Sequence, residues 1–154
     1  MIPVDPFEIT LSMPFKQALE VVEAALNAEG FGVVTRIDVQ KTMRQKLNIN
    51  FRPYVILGAC NPPIAHRVLE HDPRMGLMLP CNVSVEAMDE DHILIRIADP
   101  DQMLGCGSNE DPVLGELASE ARNRLTRVAD RLRRGASPND PEAKPWQRLN
   151  HLTD

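Results

Sequence analysis

A chain of 154 residues, 43% apolar and 25% charged, has the make-up of one globular domain and excludes a disordered, collagenous or fibrous protein. No apolar stretch approaches the roughly 18 residues of a membrane span, and Met1 to Met13 hold neither a basic region nor an apolar signal region, so a cytoplasmic protein is expected. A net charge of −5 gives no general attraction to nucleic acid or to an anionic membrane, and three cysteines are too few for a disulfide scaffold.

Phe7, Ile9 and Leu11 alternate with polar residues and predict a first strand with one buried face. Pro14 then opens a helix with an apolar stripe through Ala18, Leu19, Val22, Ala25 and Leu26, and Gly30 is placed to end it. The β-branched run from Phe31 to Ile37 predicts a second strand. Asp38 suits the N-cap of a short helix reaching Leu47, with Val39, Met43 and Leu47 on one face. The unbroken apolar run from Tyr54 to Ala59 has the pattern of a central strand covered on both faces. Asn61 followed by Pro62 and Pro63 is a helix start, because asparagine caps free amides and proline at the first helical position loses no hydrogen bond.

After Pro80, Val83, Val85 and Ala87 alternate, a turn follows at Asp89 to Asp91, and Ile93, Ile95 and Ile97 alternate again, which predicts a hairpin. Asp111 and Pro112 start the longest helix, ending near Gly135. Its apolar positions Ala118, Ala121, Leu125, Val128 and Leu132 form a seam suited to the sheet or to another subunit, with the sheet as the default. The expected fold is α+β, in the order βαβαβαββα: helices packed on a mixed, mainly antiparallel sheet of about five strands.

Residues 116–134 carry six arginines against three carboxylates, while residues 1–115 carry a net −7. Four of those arginines lie in the last turns before Gly135, where cations complement a helix C-terminus, so a solvated face is preferred to a nucleic-acid stripe. Residues 1–134 are expected to form a single domain. Residues 135–154, with three prolines and Trp146, read as a tail or arm.

Two dipeptides match: Cys60 with Asn61, and Cys81 with Asn82, each at a strand boundary. If those strands run antiparallel, both thiols lie at one end of the sheet; if parallel, at opposite ends. A thiol beside the amides of a helix N-terminus is expected to have a lowered pKa, which makes Cys60 the candidate reactive or ligating sulfur and Cys81 its partner. His66 would complete a Cys, Cys, His set suited to zinc, copper or iron, although no fourth ligand and no C-x-x-C spacing accompany it. Asn61 and Asn82 place amides beside the sulfurs. The competing reading makes both cysteines small core fillers and both asparagines caps. Cys106 reads as incidental, and His71, His92 and His151 as solvated.

The stretch GFGVVTRIDVQKTMRQKLNINFRPYVILGACNPPIAHRVLE followed by GLMLPCNVSV resembles the small prokaryotic family called domain of unknown function 302, with CNPP and LPCN as its most specific parts. The likeness covers residues 5–134. It implies an α+β domain, usually a homodimer, with no securely assigned activity. By motif position the shared residues are Gly30, Phe31, Asp38, Lys46, Tyr54, Cys60, Asn61, Pro62, Pro80 and Cys81. Asp38 and Lys46 flank the second helix and are candidates to face the same mouth as the cysteines. Cys106 and the Trp146 tail depart from the pattern.

The sequence therefore supports two expectations. One is a dimeric binding domain with a thiol site for a small ligand, a metal ion or a sulfur or redox species. The other is a homo-oligomeric assembly module with both cysteines in the core. Neither a cofactor nor a reaction is indicated.

Overall fold

Strand β1 (Glu8–Ser12) is followed by helix α1 (Phe15–Ala28), then β2 (Gly32–Asp38), α2 (Val39–Leu47), β3 (Tyr54–Cys60) and α3 (Pro62–His71). A 3-10 turn (Pro73–Met78) leads to β4 (Cys81–Ala87), β5 (His92–Ile97), the short α4 (Pro100–Met103) and the long α5 (Pro112–Arg133). The structure is a computed structural model, and it describes residues 7–104, 111–135 and 137. Cys106, His151 and the Trp146 tail lie outside the described residues.

The five strands form one sheet in the order β1-β5-β4-β3-β2, with every neighbouring pair antiparallel. The expected order of elements holds, and the expectation of a mixed sheet is corrected. α1 carries the chain from one edge of the sheet to the other, so the two parallel strands it connects never become neighbours. No helix among the described residues is long and apolar enough to cross a membrane.

Local chemistry sets the helix ends. At the end of α1 the amide of Gly30 donates to the Asn27 carbonyl and that of Phe31 to the Leu26 carbonyl. This double bond pattern needs a left-handed residue, supplied by Gly30 at φ 85°. Asp38 caps α2 by accepting from the Lys41 amide, Asn61 caps α3 through Ile64, and Asp111 caps α5 through Val113 and Leu114.

α1 and α5 cover one face of the sheet, and the main core lies between them and the strands. Leu26, Leu57, Val83, Ile93, Ile95 and Leu125 are all fully enclosed there. α5 has 22 residues, roughly 33 Å at ~1.5 Å per residue. Its second half, Leu125 to Leu132, packs on the sheet, the default expected for its seam. Its first half, with Leu114, Leu117, Ala118 and Ala121, belongs to a second cluster shared with Ile64 and Val68 of α3 and with Leu104. By contrast α2 buries no residue, and Leu47, expected on its core face, is 61% exposed.

Two carboxylates are enclosed by arginines. Glu29, at the end of α1, accepts from Nε of Arg127 at 2.8 Å and Nε of Arg131 at 3.0 Å, and its carbonyl accepts from Arg124 at 3.2 Å. The reading of the arginine segment as a solvated face is therefore corrected: three of these side chains turn onto the end of α1. A fourth, Arg122, pairs with Asp99 and Asp101. Glu86 sits on the sheet face opposite the main core, bonded to Arg52 and, at 2.8 Å, to Arg96. His71 is not merely solvated either; its Nε2 meets Asp111 at 2.8 Å and ties the end of α3 to the start of α5.

Candidate functional site

The register of β3 against β4 pairs Ala59 with Cys81, so Cys60 stands one residue beyond the last pair, diagonally across from Cys81. The antiparallel alternative is the one realised, and the two thiols lie at the same end of the sheet. There the chain leaves β3 through the CNPP turn into α3 and returns to β4 through Leu79 and Pro80. Between this end of the sheet, α3, α4 and the first half of α5 lies a cavity of about 310 Å³. Cys60, Asn61 and Cys81 line it together with apolar side chains such as Phe31, Val68 and Met103. Val34 and Leu69, also among its lining, are exposed at 50% and 38%, so that part of the wall meets solvent.

Asn61 is 8% exposed and does two things at once. Its Oδ1 accepts from the Ile64 amide at 3.1 Å, which fixes the side-chain amide and directs Nδ2 the other way. Nδ2 lies 3.1 Å from where a Cβ on Gly30 would stand, so the absence of a side chain at Gly30 makes room for it. Gly58 is needed just as closely. A Cβ there would lie 2.0 Å from Oγ1 of Thr35 and 2.7 Å from Cγ of Pro80, where β2 shifts register between Val33 and Thr35.

The electrostatics reverse one expectation. Burial pushes the Cys60 thiol up from its ordinary value rather than down, and burial, reinforced by the neighbouring Cys60, pushes Cys81 up to about 11. The amide of Ile64 that would have favoured a thiolate is already bonded to Asn61, and removal from water outweighs what remains of the helix-end field. At neutral pH only about one Cys81 in 10⁴ would be ionised.

Four other expected site residues are not brought in. His66 is 75% exposed and faces Glu70 at 3.5 Å, one helical turn along α3. Among the described residues no group of three or more histidine, cysteine or acidic side chains is placed to hold a metal, so the Cys60, Cys81, His66 set is not formed. Asp38 is opposite Val55, while Gly32 is opposite Cys60, which places Asp38 about 20 Å from the cysteines at ~3.3 Å per residue. Lys46 is exposed on α2 and is not among the residues lining the cavity. Asn82 is exposed and sits between inward-facing Cys81 and Val83, so strand alternation turns it to the other face. Conversely, Leu79, Met103 and Ala121 line the cavity and carry no signal in the sequence beyond being apolar.

A five-stranded antiparallel sheet with α1 and α5 on one face, and a small cavity where its central strands end, defines an α+β domain. The profile of the family described as "Domain of unknown function DUF302" matches residues 7–132, and the chain belongs to that family. Among solved structures it is similar to the uncharacterized conserved protein DUF302 from Bacillus stearothermophilus, at 32% identity and a TM-score of 0.68, covering 81% of this chain and 97% of that one. No curated protein matches.

Proposed function

We propose that the protein is a binding domain that holds a small, largely apolar molecule in the cavity at the cysteine end of the sheet. The observation that carries this reading is the cavity itself. Its volume of about 310 Å³ falls at the lower end of the ~300–1,000 Å³ usual for small-molecule sites, and its wall is mostly hydrocarbon with a few convergent polar groups. The thiols serve here as part of that wall. Held protonated by burial, they are poor nucleophiles and poor metal ligands at neutral pH, which favours an uncharged organic occupant over an ion or a sulfur-exchange partner.

The test uses N-phenyl-1-naphthylamine, a neutral apolar fluorophore. Its emission should rise with the wild-type protein, and the bound dye should slow alkylation of Cys60. Ala65→Phe, which projects a ring into the cavity, should weaken binding at least tenfold at an unchanged melting temperature, and Met103→Trp should repeat the effect from another wall. Binding that is absent from the wild type, or equally strong in both variants, overturns the reading.

A further inference from the structure

The sole tryptophan of the chain, Trp146, stands in a mostly polar tail and is followed at helical spacing by Leu149 and Leu152. A large aromatic in such a segment gains most where hydrocarbon covers it. The structure fixes where this tail starts. Gly135 ends α5 in the left-handed conformation, at φ 87°, and its amide donates to the Leu132 carbonyl, so the chain turns off the helix axis there. Two residues earlier, Arg133 donates to the carbonyl of Glu8, the first residue of β1. Glu8 is opposite Arg96, Ile97 opposite Val83, and Cys81 opposite Ala59, so β1 begins at the end of the sheet where the cysteines lie. The tail therefore sets out from the cysteine end. Ala121 of the cavity wall lies fourteen positions before Gly135, ~21 Å back along the helix at ~1.5 Å per residue. Eleven residue steps lead from Gly135 to Trp146, and Pro138, Pro141 and Pro145 favour extended chain over them, which spans up to ~34 Å at ~3.1 Å per residue.

We propose that the indole of Trp146 seats in the mouth of the cavity of its own chain and competes there with the bound molecule. This rests on the reading of the cavity as a binding site. Reach is one ground and chemistry the other. The wall is hydrocarbon with the sulfurs of Cys60, Cys81 and Met103 set in it, and sulfur makes favourable contacts with aromatic rings. At about 310 Å³ the cavity is of small-molecule size, and an indole is a small, flat, uncharged molecule on a tether. The wall meets solvent at Val34 and Leu69, so a ring entering there covers both and keeps its N–H within reach of water. A tether of this kind holds the ring at a roughly millimolar effective concentration. A tail seated nine-tenths of the time lowers the apparent affinity for a free molecule about tenfold.

Because the chain has a single tryptophan, its own fluorescence tests this. In the wild type the emission should lie to the blue of N-acetyltryptophanamide and resist quenching by acrylamide, at every protein concentration. In Ala65→Phe, whose ring fills the cavity, both should revert to the free-indole values at an unchanged melting temperature. In protein labelled with 5-fluorotryptophan, the single ¹⁹F resonance should move to its solvent position as N-phenyl-1-naphthylamine is added. Trp146→Ala should bind that dye about tenfold more tightly than the wild type, with Trp146→Phe between them. A tryptophan with the emission of free indole overturns the inference, as does a shielded one that neither Ala65→Phe nor the dye releases. An effect that fades on dilution, which would put the tail of a second copy in the mouth, overturns it too, and so does equal dye affinity in the wild type and Trp146→Ala. Each of these leaves the cavity reading standing. Dye that binds neither the wild type nor Trp146→Ala removes both.

Discussion

Replacing Glu29 by glutamine separates the arginine cluster at the end of α1 from its charge while keeping its shape. The carboxylate side chain is 9% exposed and is held by Arg131, itself 18% exposed, and by Arg127, 52% exposed. Breaking a fully buried pair costs ~3–5 kcal/mol, whereas an exposed one is worth ~0–1 kcal/mol. With one enclosed and one half-exposed partner, and with glutamine still able to accept one bond, Glu29→Gln should cost about 2 kcal/mol, or roughly 4–8 °C in melting temperature for a domain of this size. The pH dependence has a definite sign. Burial alone raises the Glu29 carboxyl, but the guanidinium groups of Arg127 and Arg131 outweigh it and hold it below the usual carboxylate range. A lowered folded-state pKa stabilises fully above the unfolded value, about pH 4.3, and the gain is lost as pH falls through the folded value. Thermal unfolding followed by circular dichroism between pH 3 and 7 should therefore show the two proteins converging as the pH drops below about 4.3 and parting above it. Glu86, also lowered, first by Arg96 against burial and then by Arg52, contributes equally to both curves and cancels in their difference. Superimposable curves, or a variant within a degree of the wild type at pH 7, would refute the account.

Thiol reactivity should follow burial. At pH 7.5 Cys81 in the native fold should react with iodoacetamide at least a hundredfold more slowly than in urea, and its rate should climb with pH towards about 11; a rate plateau below pH 9 in peptide-resolved mass spectrometry would contradict the raised pKa. Gly58→Ala sets a methyl group against Thr35 and Pro80, and should cost about 3 kcal/mol by chemical denaturation, with Thr35→Gly recovering part of the loss; no loss would mean that the register shift in β2 absorbs the methyl.

The elements were legible because their signals are local. The Asn61-Pro62-Pro63 start, the Gly30 stop and the period-two isoleucines each act within a few residues, and each has a counterpart in the structure. That Cys60 and Cys81 share one end of the sheet was legible only as one of two alternatives, since it depends on strand direction, which no local pattern records. Burial was harder still. The rise in the thiol pKa comes from burial at the strand ends, beside a cavity whose walls come from segments far apart in the chain, and helix-end reasoning applied to Cys60 alone points the wrong way. The same distance hid Glu29, which reads as one more acidic residue until Arg127 and Arg131, almost a hundred positions later, fold onto it. Asp38 joins the cysteines by motif membership alone, and a strand of seven residues separates it from them.

Helix α5 serves two masters along one uninterrupted rod: its front half walls the cavity and its rear half is clamped into the main core. That wall therefore cannot swing aside as an independent flap. On the proposed reading, a guest enters where Val34 and Leu69 already bring the wall to solvent, with no need for the rod to move.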